Sequence, residues 1–253
     1  MDDYKDSIAA CCKQLRLSVN LVENAMIQTG ESHQEYLYHL LEEEIRYRRE
    51  TRVAKLINTA GFPLQHSFTS FDPGEVQFPA GVTVESLKAL DFYHSGNNLV
   101  MYGSTGTGKT MLSICIGMEA CQKGIPVKFF RTAALINQLS EAQEHGTLSQ
   151  LHKRMDKAEI IILDEFGYVP YDRNGSQLLF DYLSEIHEQK SVILNTNLEF
   201  SQWVNVLYDQ RMTTALIGRL THHVELILFP GVNNRLRESS INETLSKINS
   251  QNG

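Results

Sequence analysis

The 253-residue chain has no apolar run approaching the ~18 residues that a membrane-spanning helix needs, so no membrane partner is expected. Its first residues, Met1-Asp2-Asp3-Tyr4-Lys5-Asp6, lack the basic start and apolar stretch of a secretory leader, and a cytoplasmic protein is expected. Cysteine is sparse. Cys11 and Cys12 are adjacent, Cys115 and Cys121 lie in an apolar helical pattern, and none has the C-x-x-C spacing of a zinc site. Reduced, packed thiols follow. Basic charge is not in excess: the net charge is −7, which argues against a surface that is positive all over but leaves room for a local basic patch. No internal repeat is present.

What is present suffices for a packed core, with 42% hydrophobic residues over a length that fits one large domain or a small domain beside a core domain. Four zones are expected: helical over 1–65, a connector and lead-in helix over 66–97, a catalytic core over 98–238 and a polar tail over 239–253. In the first zone Glu42 and Arg46 have the i,i+4 spacing of an ion pair, and Gly61 and Pro63 end the helix. In the second, Pro73-Gly74 and Pro79-Ala80-Gly81 are turn signals, and "VTVESLKALDFYHSG" reads as one helix. In the third, short β-rich runs at Leu99 to Tyr102, Val127 to Phe130, Ile160 to Leu163, Ser191 to Thr196 and Val224 to Phe229 alternate with helical patterns. That alternation implies an α/β fold, a mostly parallel sheet covered on both faces.

After the first run comes Gly103-Ser104-Thr105-Gly106-Thr107-Gly108-Lys109-Thr110, a match to G-x-x-x-x-G-K-[ST]. Glycines let backbone N–H groups turn inward around phosphate oxygens. The following helix aims its positive end at the same anion. Lys109 is expected on the β- and γ-phosphates of ATP, and the Thr110 hydroxyl on Mg2+. An ordinary glycine-rich turn would not call for Lys-Thr at these positions.

Ile160-Ile161-Ile162-Leu163 runs into Asp164 and Glu165. Ligands bind at the carboxyl ends of strands in open α/β sheets, which brings both acids to the phosphate loop. Asp164 is expected to hold Mg2+ and Glu165 to activate the attacking water. Neither the N/T-K-x-D guanine reader nor the L-S-G-G-Q transporter signature occurs, and the Asp-Glu pair favours ATPases that polarise a water. Asn197, with Asn195 second, ends the next apolar run and is the candidate for sensing the γ-phosphate. Arg219, with Arg211 competing, is the candidate arginine supplied to a neighbouring subunit's nucleotide. His222 and His223 resemble metal ligands, but on a strand adjacent residues point to opposite faces, so a structural role is expected.

The segments "EEEIRYRRETR", "GSTGTGKT", "GIPVKFFRTAALINQL", "IIILDEFGYVP", "ILNTNLEFSQW", "ALIGRLTHH" and "RLRES" resemble the IstB-like family, the AAA+ helper ATPases of IS21-type transposons and kin of the DnaC helicase loaders. The resemblance runs from about Tyr36 to Glu238. It implies an AAA+ core on a small helical N-terminal domain, and the roles given above for Lys109, Thr110, Asp164, Glu165, Asn197 and Arg219. It adds Arg235 as an arginine reaching the nucleotide in cis, with Arg237 the alternative, because Gly231-Val232-Asn233-Asn234-Arg235 departs from the family's Gly-Glu-Ser-Tyr-Arg. Gly218 departs from the Asp that usually precedes the finger arginine.

The resemblance also implies ATP-bound homo-oligomers, rings or helices, that grip and bend duplex DNA for an IstA-type DDE transposase. A DnaC-type helicase loader is the alternative. Candidate DNA contacts are Arg46, Arg48, Arg49, Arg52 and Lys55, interleaved with glutamates, and Lys128 and Arg131 around the second core strand.

Overall fold

A computed structural model describes residues 4–231. Arg235 and Arg237 lie outside the described residues. The chain divides into two compact units, one ending at Leu56 and the other starting at Ile57.

The first unit is helical: α1 (Lys5–Leu15), α2 (Val19–Ile27) and the greater part of α3 (His33–Ala60). Cys12, Leu21, Val22 and Leu40 form its small core, with Ile8, Leu17, Ala25 and Tyr36 packed against them. A polar anchor sits beside that core. Glu44 is 5% exposed and accepts hydrogen bonds from the Ser18 N–H (2.9 Å), the Ser18 hydroxyl and Arg48 Nε (2.7 Å). Burial pushes the Glu44 carboxyl up, but these hydrogen bonds outweigh it and hold the group below its ordinary value. The Glu42–Arg46 pair does not form. Arg46 reaches Glu43 and Glu50, and Glu42 accepts the Tyr38 hydroxyl, because several partners compete on one exposed face.

The second unit takes in the end of α3 and a short 3-10 turn (Phe68–Ser70), followed by α4 (Val84–Ala89) and α5 (Asp91–His94). The expected single lead-in helix is broken at Leu90, which takes φ +68° and is fully buried. A reciprocal cap between Thr83 and Ser86 fixes the start of α4. Five strands follow: β1 (Asn98–Gly103), β2 (Val127–Arg131), β3 (Ile160–Phe166), β4 (Ser191–Thr196) and β5 (Val224–Phe229). Their order is β2-β3-β4-β1-β5, all pairs parallel, with one antiparallel bridge from Gln77 to Leu228.

Both faces are covered. α6 (Lys109–Gln122) packs on one, and α7 (Thr132–Glu144), α8 (Leu148–Met155), α9 (Arg173–Glu185), α10 (Val204–Leu207) and α11 (Gln210–Thr221) lie on the other. α6 is buried on nearly every side and approaches the sheet closely at Gly117, where a Cβ would meet the Phe62 ring at 2.8 Å and Ile162 of β3 at 3.0 Å. On the opposite face Trp203 is fully buried, its ring 4.4 Å from that of Phe166. Cys12, Cys115 and Cys121 are buried and Cys11 is exposed. Burial pushes the Cys115 and Cys121 thiols up to about 11. His222 and His223 occupy the turn between α11 and β5, where their rings pack edge to face at 4.3 Å. The opposite-face argument does not apply, because both histidines precede the strand, which starts at Val224.

Candidate active site

The phosphate loop leaves the carboxyl end of β1, an inner strand flanked by β4 and β5. Gly103 pairs with Phe229, and a Cβ there would lie 2.2 Å from the Phe229 carbonyl oxygen, so only glycine lets β1 run this close to β5. Gly108 takes φ +105° immediately before α6. The Thr107 hydroxyl donates to the Ser104 carbonyl at 2.8 Å and closes the loop. Lys109, 5% exposed, donates from Nζ to the carbonyls of Gly103 (2.7 Å) and Ser104 (2.6 Å). The ammonium thus bridges the inside of the loop, at the positive end of α6.

The two acids sit at an irregularity of the sheet. Leu163 pairs with Leu194 and Phe166 with Thr196, so Asp164 and Glu165 together face the single residue Asn195. Such a bulge changes the aim of side chains. Glu165 adopts φ +57°, a conformation that costs a non-glycine residue about 1–3 kcal/mol. The neighbours hold it there: the Thr132 hydroxyl donates to the Asp164 carbonyl at 2.9 Å, and Phe166 is locked under Trp203. Asp164 therefore turns inward, 4% exposed, while Glu165 turns out, its carboxylate 3.9 Å from Arg131 Nε.

The Asp164 carboxylate has two side-chain partners. Thr110 Oγ1 donates to it from 3.0 and 3.1 Å of its two oxygens, and Asn195 Nδ2 donates to Oδ1 at 2.8 Å. Asn195 is 1% exposed, whereas Asn197 is exposed beyond the end of β4. Among the described residues no group of three or more His, Cys, Asp or Glu could hold a metal alone. Thr110 and Asp164 supply hard oxygens on one spot beside the phosphate loop, which fits a Mg2+ ion that takes its remaining ligands from phosphates and water.

Arg219 lies near the end of α11 and lines a small cavity with Asn98 and Val192, at the starts of β1 and β4. The phosphate loop is at the other end of β1. The guanidinium rests 5.0 Å from the Phe180 ring centroid, and its Nη1 is buried with no hydrogen-bond partner among the described residues. Arg211, at the start of α11, lines a separate cleft of about 530 Å3 with Arg173, Phe180 and Tyr208.

The basic candidates have varied surroundings. Arg46 and Arg48 are bound into the ion pairs described above, and Arg48 also donates to the Arg16 carbonyl. Arg49, Arg52 and Lys55 are exposed on α3. Lys128 donates to the Thr59 carbonyl, and Arg131 faces Glu165. Residues that the sequence did not single out also build the site. Ser113 donates to Asn195 Oδ1 at 2.9 Å, and Tyr168 OH lies 3.2 Å from Thr105 Oγ1. Ser113 follows Thr110 by three residues, one helical turn, so its side of α6 was readable; Thr132 depends on the pairing of β2 with β3 and carried no local signal.

Comparison with known proteins agrees with this geometry. The family model described as IstB-like ATP binding protein matches residues 12–242. The ATP-binding protein of insertion sequence IS5376 from Geobacillus stearothermophilus is 31% identical over 96% of this chain and 99% of its own. That of IS21 from Pseudomonas aeruginosa is 30% identical over 85% and 82%. Among solved structures, AMPPCP-bound DnaA from Aquifex aeolicus superposes with a TM-score of 0.52 at 19% identity, over 75% of this chain and 57% of that one, a likeness of fold. With its phosphate loop on β1 and its acid pair on β3, the chain belongs to the IstB-like family of IS21-type insertion-sequence ATP-binding proteins and is an AAA+ ATPase.

Proposed function

We propose that this ATPase assembles on duplex DNA in its ATP-bound form, deforms it, and presents it to a DDE transposase in the cytoplasm. The observation that carries the assembly step is the position of Arg219. It lies beside the starts of β1 and β4, while its own phosphate loop follows the end of β1. A six-residue strand spans about 17 Å, too far for the side chain to serve its own nucleotide. A neighbouring copy's nucleotide is the natural recipient, and such a head-to-tail contact closes into a ring or runs on as a helix.

In this reading Lys109 exchanges its loop carbonyls for β- and γ-phosphate oxygens. Thr110 and Asp164 hold Mg2+, which neutralises phosphate charge. Glu165 orients the water, Asn197 senses the γ-phosphate, Arg219 acts on the neighbour's ATP, and Arg235 reaches the nucleotide in cis. The helical zone over 1–65, joined to the core over 98–238 by the connector over 66–97, contributes DNA or partner contacts through Arg46, Arg48, Arg49, Arg52 and Lys55. Lys128 and Arg131 are the contacts proposed for the core.

The test is duplex-DNA binding at two salt concentrations with ATP, ADP or a non-hydrolysable analogue, followed by electron microscopy. The expected result is ATP-dependent binding that weakens with salt, roughly 0.9 logarithmic units per decade for each phosphate contacted, with rings or filaments on duplex. Binding confined to single strands, or seen only with a hexameric helicase, would move the assignment to a helicase loader.

A further inference from the structure

Asn195 stands where three elements of the ATP site meet. It is the one β4 residue that faces the bulge carrying Asp164 and Glu165. Across β1 it pairs with Met101, two residues before the phosphate loop. Its side chain is buried, and both ends of its amide are engaged. Nδ2 donates to Asp164 Oδ1 at 2.8 Å, and Oδ1 accepts from the Ser113 hydroxyl at 2.9 Å. The chemistry fixes this orientation, since a carboxylate oxygen only accepts and so must meet the NH2 end. Ser113 Oγ also lies 2.9 Å from the Lys109 carbonyl and 3.5 Å from Met101 Sδ, so its one proton is shared among three acceptors.

We infer that Asn195 is a positioning residue that sets the orientation of the Asp164 carboxylate through the buried chain Ser113–Asn195–Asp164. The inference rests on the reading that Thr110 and Asp164 hold Mg2+. The Thr110 hydroxyl touches both carboxylate oxygens, so by itself it leaves the plane of the carboxylate loosely defined. Asn195 grips Oδ1 alone and distinguishes the two oxygens. Ser113 and Thr110 lie one turn apart on α6, so the metal carboxylate on β3 is referenced through β4 to the helix that carries the phosphate loop. Partners of this kind orient a metal ligand without touching the metal, and their loss typically costs about 10–100-fold in metal affinity or activity. This role differs from sensing the γ-phosphate, which would show in turnover and not in the metal requirement.

The test is a Mg2+ titration of the full chain binding a fluorescent, non-hydrolysable ATP analogue, with parallel binding in chelator and thermal melting. Asn195→Leu keeps the branched shape of the side chain, with somewhat more bulk, and removes both the donor and the acceptor; Ser113→Ala frees the amide oxygen and leaves a small side chain that the core tolerates. The expected result for Asn195→Leu is a Mg2+ midpoint raised about 10–100-fold with binding in chelator unchanged. Ser113→Ala should shift it in the same direction by less, and add nothing once Asn195 is leucine. An unmoved midpoint in both variants, or an equal loss of binding with and without Mg2+, would overturn the inference. A wild-type protein indifferent to Mg2+ would instead remove the metal reading, and this inference with it.

Discussion

At the scale of single residues, the site separates two neighbouring acids by backbone conformation. Asp164 is drawn inward and Glu165, at φ +57°, is turned out. Glu165→Gln is therefore expected to retain nucleotide binding and lose about 10²–10⁴-fold in hydrolysis, as for removal of a general base, while Lys109→Ala loses nucleotide binding itself. Nucleotide binding and single-turnover hydrolysis measured on the same preparations check both; turnover within tenfold of wild type in Glu165→Gln would strip that residue of its role. The Gly-Lys-Thr and Asp-Glu residues stand out in the sequence because a phosphate-cradling loop needs fixed residue types at fixed spacing, and the fold brings Thr110 and Asp164 together. Thr132 and Phe180 do not, because their partners lie on other elements; for Ser113 the side of α6 was readable but its partner on β4 was not. Which asparagine meets Asp164 was equally hidden. Asn195 and Asn197 are two residues apart and would share a face of a continuing strand, but β4 ends at Thr196, so Asn195 is the one held in register against the β3 bulge.

At the scale of elements, all five strands and the parallel sheet could be read from periodicity, since buried parallel strands are continuous β-branched runs. Breaks in helices could not. Leu90 ends α4 in a left-handed conformation that no glycine announces, and its fully buried side chain is what holds it there. In the helical unit, Glu44 joins α3 to the start of α2 through Ser18. Its carboxyl is lowered in the folded protein, so the stabilisation it gives is complete above its unfolded value and fades as pH falls through the folded one. Thermal melting of wild type and Glu44→Gln from pH 7 to pH 3 should show wild type ahead near neutrality and the gap closing below about 4.5, its ordinary value. A constant gap would mean that Glu44 acts through packing alone.

At the scale of the whole molecule, the phosphate loop and Arg219 lie towards opposite ends of the same sheet, and under the proposed function a lone copy would hold only part of a catalytic centre. Arg219→Ala should keep ATP binding and lose about 10³–10⁵-fold in hydrolysis, the range for an arginine that stabilises transferring phosphate. Mixing it with Lys109→Ala offers a sharper check. One variant lacks the arginine, the other lacks the nucleotide, and an equimolar mixture should recover hydrolysis that neither has alone. Full activity in isolated wild-type monomers would rule the shared site out. The distribution of thiols then has a practical consequence. Cys12, Cys115 and Cys121 are buried, the latter two with thiols held near 11, whereas Cys11 is open to solvent on α1. A maleimide dye added near neutral pH should therefore couple to Cys11 in preference, since the thiolate is the reacting form. The native sequence thus offers a selective attachment point on the helical unit, and dye self-quenching there would follow subunits gathering without any engineered cysteine.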